Sequence, residues 1–445
     1  MVLSRRGLVR TLAPLGLAPA LAACGAPKGT GGEGDVAKPA PSGPQRVDVW
    51  WSLADNNPSI APAWADFKQR HPGWTGELNM GVTYDKFQAS VAGGVSPDAY
   101  FGSFQQIQQA AFKRLFAPLD PYINRDKVNM DQYFFGSKAG AVYKGKIYGL
   151  PHHSNVRSVY VNDKAYRESG LDPSKAPASW DDFRTANRRM KKEDAPGVLA
   201  RIGYNPTWQI GGPTAVLYFQ LNGVPLLSND GTAPGFVTPA GVEALKWLVD
   251  EVAFLGGPQA LADYQRVFSR GTGEALGKGA AGIAMAGIWV VPRDAMTADP
   301  DAVISQWPIP GGPSARGKQF GFVAATSGVV PTSAARPDAG WEFTKYQASV
   351  EGQKFIQGPS GSWDQACIAS VANDPGVLQQ QPWRKRANEL LGQARNTAYF
   401  PHPGAVEIES ALNAAVADML AGKAGPDATV QDMKQQVQYA MDQYR

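Results

Sequence analysis

The sequence is poor in the residues that build common reactive centres. Its 445 residues include two cysteines and four histidines. No H-E-x-x-H occurs, and His152 and His153 are adjacent, so on a strand they point to opposite faces and cannot chelate one ion. The run "GTGEALGKG" (271–279) has Thr272 where a phosphate-cradling loop needs its first glycine, and Gly279 where it needs Ser or Thr. Its glycines also miss the dinucleotide spacing. "GPSGSWD" (358–364) holds Gly-x-Ser without the following glycine of a nucleophile elbow. Nothing singles out a carboxylate pair among the 39 acids. The sequence therefore gives no positive signal for catalysis, a metal or a cofactor. Charge of one sign is also missing. Lys and Arg number 43 against those 39 acids, a formal charge of +4, and removing residues 1–23 with Arg5, Arg6 and Arg10 lowers it to +1. That balance argues against nucleic acid as a partner. The densest basic run, Arg384-Lys385-Arg386, reads as a solvated helix face.

What is present begins at the N-terminus. Three arginines precede a mostly apolar stretch ending at Leu21, with no acid before it. The stretch is short and broken by Pro14 and Pro19, so it is a poor membrane span, which needs ~20 apolar residues. Leu21-Ala22-Ala23-Cys24 resembles the bacterial lipobox, in which the chain is cut before a cysteine that then carries a diacylglycerol. Cys24 is thus the expected lipid anchor, and residues 1–23 the signal peptide. An ordinary signal peptide with a chance cysteine is the alternative. Ser4-Arg5-Arg6-Gly7-Leu8 loosely matches a twin-arginine motif, so the general secretory and twin-arginine routes both stay open. Residues 24–45, rich in Gly, Pro, Ala and Lys, read as a flexible tether. Cys367 is then alone and reads as a small buried residue.

The folded part begins near Arg46, and its ~400 residues exceed the size at which one core stops growing. "RVDVWWS" (46–52) reads as a strand, followed by a helix through Ile60, Trp64 and Phe67. "PDAYFGS" (97–103) repeats the pattern, with a helix through Ile107 and Ala111. A Gly turn and two short strands are expected over 144–162. Ser179 with Asp182 marks a helix start, and further helices are expected at 239–254, 338–357 and 404–421. The class is α/β.

The aromatics divide by context. Trp64, Trp180, Trp247 and Trp341 lie in helical patterns and read as core. Trp50, Trp51, Trp208, Trp289 and Trp363, with Tyr399 and Phe400, lie near strand ends or in Gly/Pro/Asn-rich loops. Ligand crevices of open α/β sheets lie outside strand carboxyl ends. Aromatic faces there suit sugar rings, with Asn, Gln, Asp and Ser nearby for hydroxyls. Each residue taken singly also fits a half-buried loop anchor.

From about Val47 onward the chain resembles the extracellular solute-binding proteins of bacterial ABC sugar importers, the family that includes maltose-binding protein. The resemblance rests on "VDVWWS", "SPDAYFGS", "YKGKIYGLPHHSNVRSVYVNDKAYRESGL", "PASWDDFRTANRRM", "GKGAAGIAMAGIW" and "GVVPTSAARPDAGWEFTKYQAS", in that order. It implies a two-lobed periplasmic-binding-protein fold of type II character, with a hinge and a ligand cleft at the lobe interface. Lobe one would take 46–155 and 310–357, and lobe two 156–309 and 358–445. The implied ligand-binding residues are Trp50, Trp51, Ser52, Asp55, Ser103, Phe104, Gln105, His153, Ser154, Asn155, Trp208, Trp289, Trp363 and Tyr399. The implied function is capture of a sugar or oligosaccharide, without chemistry, and its delivery to the transmembrane subunits of an ABC permease. The protein would be a monomer, exported and held to the cell membrane through Cys24, on the periplasmic side or the outer surface.

The match departs from maltose binders, which carry acids where this chain has Gln105 and Asn155, and Asp55 aligns only with a shift. The ligand is therefore not fixed as a malto-oligosaccharide. The same fold could take a glycerol-phosphate ester, another anion or a polyol, which would need Arg157 and Arg201 in the cleft. A surface-anchored carbohydrate-active enzyme and a purely adhesive lipoprotein are the rivals from other classes.

Overall fold

The computed structural model describes residues 42–52, 59–208, 214–357, 363–397 and 399–444. The signal-peptide segment, Cys24, most of the tether and Asp55 lie outside the described residues, as does the Phe104 side chain. The aromatic, β-branched run at 49–51 forms β1 (Val49–Trp51), flanked by two parallel partners, β2 (Leu78–Asn79) and β3 (Ala99–Ser103). Between β1 and β2 lies α1 (Ile60–Arg70), which buries Ile60, Ala63, Trp64 and Phe67 at helical spacing. Helix α2 (Phe104–Phe112) leaves β3 directly, with Ser103 in extended conformation before it.

The expectation of two short strands over 144–162 is corrected. A small hairpin, Val142–Tyr143 with Lys146–Ile147, precedes one strand of 13 residues, β4 (Leu150–Asn162), buried along its whole length. It stays continuous because each half has its own partners. The remaining strands of this sheet are β5 (Lys192–Ala195), β6 (Val198–Tyr204), β7 (Ala281–Ala286), β8 (Ile304–Trp307), β9 (Phe322–Val329), β10 (Gln365–Ala366) and β11 (Asn396–Thr397). The order is β2-β1-β3-β9-β4-β7-β6-β5, with β8 and β10 also on β4 and β11 on β9. From Leu150 to Arg157, β4 pairs with β9. From Ser158 onward it pairs with β7 and, from Val159, with β8. This change of partners, at Arg157/Ser158, is two residues past the 155/156 boundary that the resemblance implied between the lobes.

Two packing groups follow this division. On the β1–β3 side, Trp51, Phe67, Phe101 and Phe343 form one cluster, and Leu119, Trp341, Cys367 and Ile368 another. On the other side, Trp180, Phe183, Tyr218 and Trp247 pack in one large cluster. There α3 (Trp180–Met190) starts at a reciprocal cap, with Asp182 Oδ2 accepting from Ser179 N–H (2.9 Å) and its hydroxyl (3.2 Å). It lies so close to the sheet that a Cβ on Gly203 would come within 2.2 Å of the Ala186 carbonyl carbon. Helix α4 (Pro239–Phe254) matches the expected 239–254. The helix expected over 338–357 is two, Pro337–Ala348 and Val350–Gln357, because Ser349 is extended and turns its hydroxyl to the Tyr346 carbonyl.

The C-terminal residues from 363 onward do not pack as one piece of the second group. Ala366–Ile368 belong to the Trp341 cluster, and Leu390 and Leu391 of α5 (Trp383–Gln393) pack on Val156 and Val323 of β4 and β9. Only from Phe400 does the chain join the large cluster, through α6 (Ala405–Leu420) and α7 (Pro426–Asp442). The solvated-face reading of 384–386 also fails at one position. Arg384 is buried, lying over the Trp383 ring and donating to the Asp364 carbonyl at 2.5 Å.

Candidate functional site

Strand alternation sorts the residues of β4. Ser154 points to one face, His153, Asn155 and Arg157 to the other. His152 does not follow the expected alternation: the register with β9 shifts at this point, and its ring meets that of His153 at 5.0 Å, so the two histidines are not on opposite faces. The surroundings of His152 and Ser154 are core. His152 meets the Trp51 ring edge-on at 4.6 Å, and Trp51, fully buried, stacks on Phe101 at 4.1 Å. Ser154 is fully buried and accepts from the Ser137 hydroxyl at 3.0 Å. Trp51 and Ser154 are therefore core residues in this structure, although the resemblance implied a ligand role. Trp50, one residue along β1, turns to the opposite side and lies half-buried with Tyr399 against the Tyr84–Phe87–Tyr100 cluster.

The second face of β4 gathers the polar groups. His153 Nε2 lies 3.5 Å from Asp364 Oδ2, and Asn155 Nδ2 donates to Asp364 Oδ1 at 3.0 Å. Burial lowers the His153 pKa, and the Asp364 charge opposes that shift. The His153 ring is therefore neutral near pH 7, so it offers both a donor and an acceptor. Among the described residues, His153 Nδ1 and Asn155 Oδ1 are buried without a hydrogen-bond partner. Their partners across the β9 ladder are Thr326 and Ala324, both small. Arg157 continues the row. Its guanidinium is buried, sits 4.9 Å over the Trp289 ring and is hydrogen-bonded to Tyr399. Burial lowers its pKa, and Tyr399 and Asp364 act against that. The Trp289 ring can fold back here because residue 287 is glycine; a Cβ there would come within 1.9 Å of it.

The structure thus brings together His153, Asn155, Trp289 and Tyr399 from the expected set. Two more residues complete the cluster: Asp364, which sequence reasoning did not include, and Arg157, which it named only for an anionic ligand. Asp364 adjoins the expected Trp363, itself 37% exposed; Arg157 follows at the i, i+2 spacing after His153 and Asn155. Ser103 ends β3 and Gln105 lies in the first turn of α2, and Ser52 N–H donates to the Phe101 carbonyl at 2.9 Å. Trp208 stands apart from the row, with its ring against Tyr264 and Phe268. Arg201, which an anionic-ligand reading would have joined to Arg157, instead pairs with Glu168 at 3.2 Å and the Ala165 carbonyl at 2.7 Å.

The arrangement can do a definite kind of chemistry. It offers a neutral imidazole, an amide, a carboxylate and a guanidinium between aromatic faces, which suits hydroxyl groups carried on a CH-rich ring. No helix among the described residues is long and apolar enough to cross a membrane.

Residues 50–354 match the family of bacterial extracellular solute-binding proteins. A binding protein of Brucella abortus is 26% identical over 251 residues, 53% of this chain and 58% of that relative, so the match spans under two thirds of the relative's length. Among solved structures, mannotriose-bound CpMnBP1 superposes with a TM-score of 0.72 at 20% identity, over 88% of this chain and 99% of that one. The ABC substrate-binding protein Lmo0181 of Listeria monocytogenes, in complex with cycloalternan, gives 0.73 at 18% identity, over 89% and 99%. Likeness at this identity establishes the fold, a two-lobed α/β architecture.

Proposed function

The chain belongs to the bacterial extracellular solute-binding proteins, and on that premise we propose that it is the substrate-binding component of an ABC importer that captures a sugar or oligosaccharide. The observation that carries this reading is the His153–Asn155–Arg157 row. It lies on the one strand shared by both halves of the sheet, and segments far apart in sequence, at 289, 364 and 399, converge on it. A ligand held there would touch both lobes, so its binding energy would bias the hinge toward closure. Trp289, Tyr399, Trp50 and Trp363 supply ring faces; His153, Asn155 and Asp364 supply hydroxyl contacts. Lobe one takes 46–155, 310–357 and, on the packing above, 363–394; lobe two takes 156–309 and 400–445. The function needs no catalytic group. Delivery to permease subunits, export and anchoring through Cys24 complete the proposal.

The buried Arg157 favours a second reading, a sugar or polyol bearing an acid group, although Arg201 gives it no support. Thermal melting against neutral sugars, polyols and glycerol phosphates tests both. A ligand present at 100 times its dissociation constant stabilises by about 2.7 kcal/mol. A shift with one neutral sugar class supports the first reading, and a shift confined to acidic esters supports the second. No shift across the panel would refute a common-sugar site.

A further inference from the structure

Helix α2 starts at the end of β3, on the side of the first packing group, whereas α6 packs within the second. Polar side chains join them. Gln105 in the first turn of α2 donates through Nε2 to Glu409 Oε2 on α6. The other Glu409 oxygen accepts from the Phe400 N–H at 2.8 Å. One turn further along α2, Gln109 Nε2 lies 3.0 and 3.1 Å from the Glu407 carboxylate oxygens and 2.8 Å from the Tyr444 hydroxyl. That hydroxyl in turn donates to Glu407 at 2.8 Å. Glu409 is 5% exposed and Gln109 3%. Beside these contacts lies a cavity of about 650 Å³, lined by Phe112, Asp432, Tyr439 and Tyr444 among others. Hydrogen bonds, which can be remade with water, therefore carry much of this junction.

We propose that these contacts form a clasp between the two lobes, and that closing it takes up a proton on Glu409. The physical reason is desolvation. Burial pushes the Glu409 carboxyl up to about 7, against the Phe400 N–H and Gln105, which favour the charged form. Other ionisable groups stand on the surrounding elements. Glu407 is held by Gln109 and Tyr444, and His402, in the loop before α6, donates no charge near pH 7 because burial lowers its pKa. Tyr84 packs from the first group and Lys113 follows α2, while Asp432 lies on α7. On α4, Glu243 accepts from Asn222 and Ser314, and Glu251 from Arg184 and Asn187. Tyr218, on the helix Thr214–Leu221 against α6, shares a hydrogen bond with Tyr204.

Because the pKa is raised in the closed state, the clasp is favoured at low pH and loses that advantage as pH rises through about 7. With an ordinary glutamate value of 4.5 when the clasp is open, the closing equilibrium changes roughly 30-fold between pH 5.5 and 8.5. The test is a distance measurement without any ligand, so it is independent of which sugar binds. Spin labels go on the exposed positions Lys86→Cys and Lys246→Cys, in a Cys24→Ser chain, and their separation is read by double electron–electron resonance at both pH values. The expected result is a larger closed fraction at pH 5.5, a closed fraction independent of pH in Glu409→Gln, and a smaller one at both pH values in Gln105→Leu/Gln109→Leu. An unchanged distance distribution between the two pH values would overturn the proposal. So would a full pH response in Glu409→Gln, or no loosening in the double variant.

Discussion

Replacing Trp289 by alanine separates a binding aromatic from a structural one. The Trp289 ring is only half-buried, rests on Gly287 and faces the Arg157 and Arg293 guanidiniums at 4.9 and 6.0 Å. Its removal forfeits those cation–π contacts, worth about 0.5–2 kcal/mol, and little core packing, so the fold should lose about 1–2 kcal/mol. Trp341 supplies the contrast. It is fully buried, stacks with Tyr122 and donates to Asp126 at 2.8 Å, so Trp341→Ala should cost about 3–5 kcal/mol. If Trp289 stacks on a captured sugar, the affinity of Trp289→Ala should fall by about 1–3 kcal/mol, roughly 5- to 150-fold in dissociation constant. Urea unfolding gives the first quantity and isothermal titration with the stabilising sugar the second. Two results would refute the reasoning: unchanged affinity, which removes Trp289 from the site, or a stability loss equal to that of Trp341→Ala, which makes it core.

Three further outcomes follow from the packing. Asp126 has its carboxyl pushed up by burial, but hydrogen bonds from Arg125, Lys345 and Trp341 outweigh this and hold it well below 3.8. Its contribution is therefore present above about pH 4 and is lost as pH falls further; Asp126→Asn should lose about 1–3 kcal/mol at pH 7 and flatten the acid limb of a stability–pH curve. The Cys367 thiol is fully buried and pushed up to about 12 by burial, so it should resist iodoacetamide in the native protein and react within minutes in denaturant, as followed by mass spectrometry. Gly340→Ala would bring a Cβ within 1.9 Å of the Asp98 carbonyl oxygen, where the helix Pro337–Ala348 crosses the start of β3. Overpacking of backbone against backbone should cost about 2–4 kcal/mol and lower the melting temperature accordingly.

The parts of this fold legible in the sequence are those set by local chemistry. Amphipathic spacing found α1 and α4, Ser179 with Asp182 found the start of α3, and the helical tryptophans at 64, 180, 247 and 341 are all buried. What local chemistry cannot supply is which partner a segment meets. The single 13-residue β4 looked like two strands because its halves are stabilised by different neighbours, β9 and then β7 with β8. Arg384 looked solvated because its cover, Trp383 and the Asp364 carbonyl, is conformational rather than periodic. The candidate site shows the same limit more sharply. Alternation correctly separates Trp50 from Trp51 and His153 from Ser154, so a reading that applied the two-residue period of β1 and β4 would have discarded Trp51 and Ser154 and admitted Arg157. No periodicity could have found Glu409, whose partner Gln105 lies about 300 residues earlier. Its burial, not its place in the helix, turns an ordinary surface-type glutamate into a group that responds near neutral pH. Each half of such a long-range contact looks unremarkable in its own stretch of chain, and only the fold that joins the two segments gives it its chemistry.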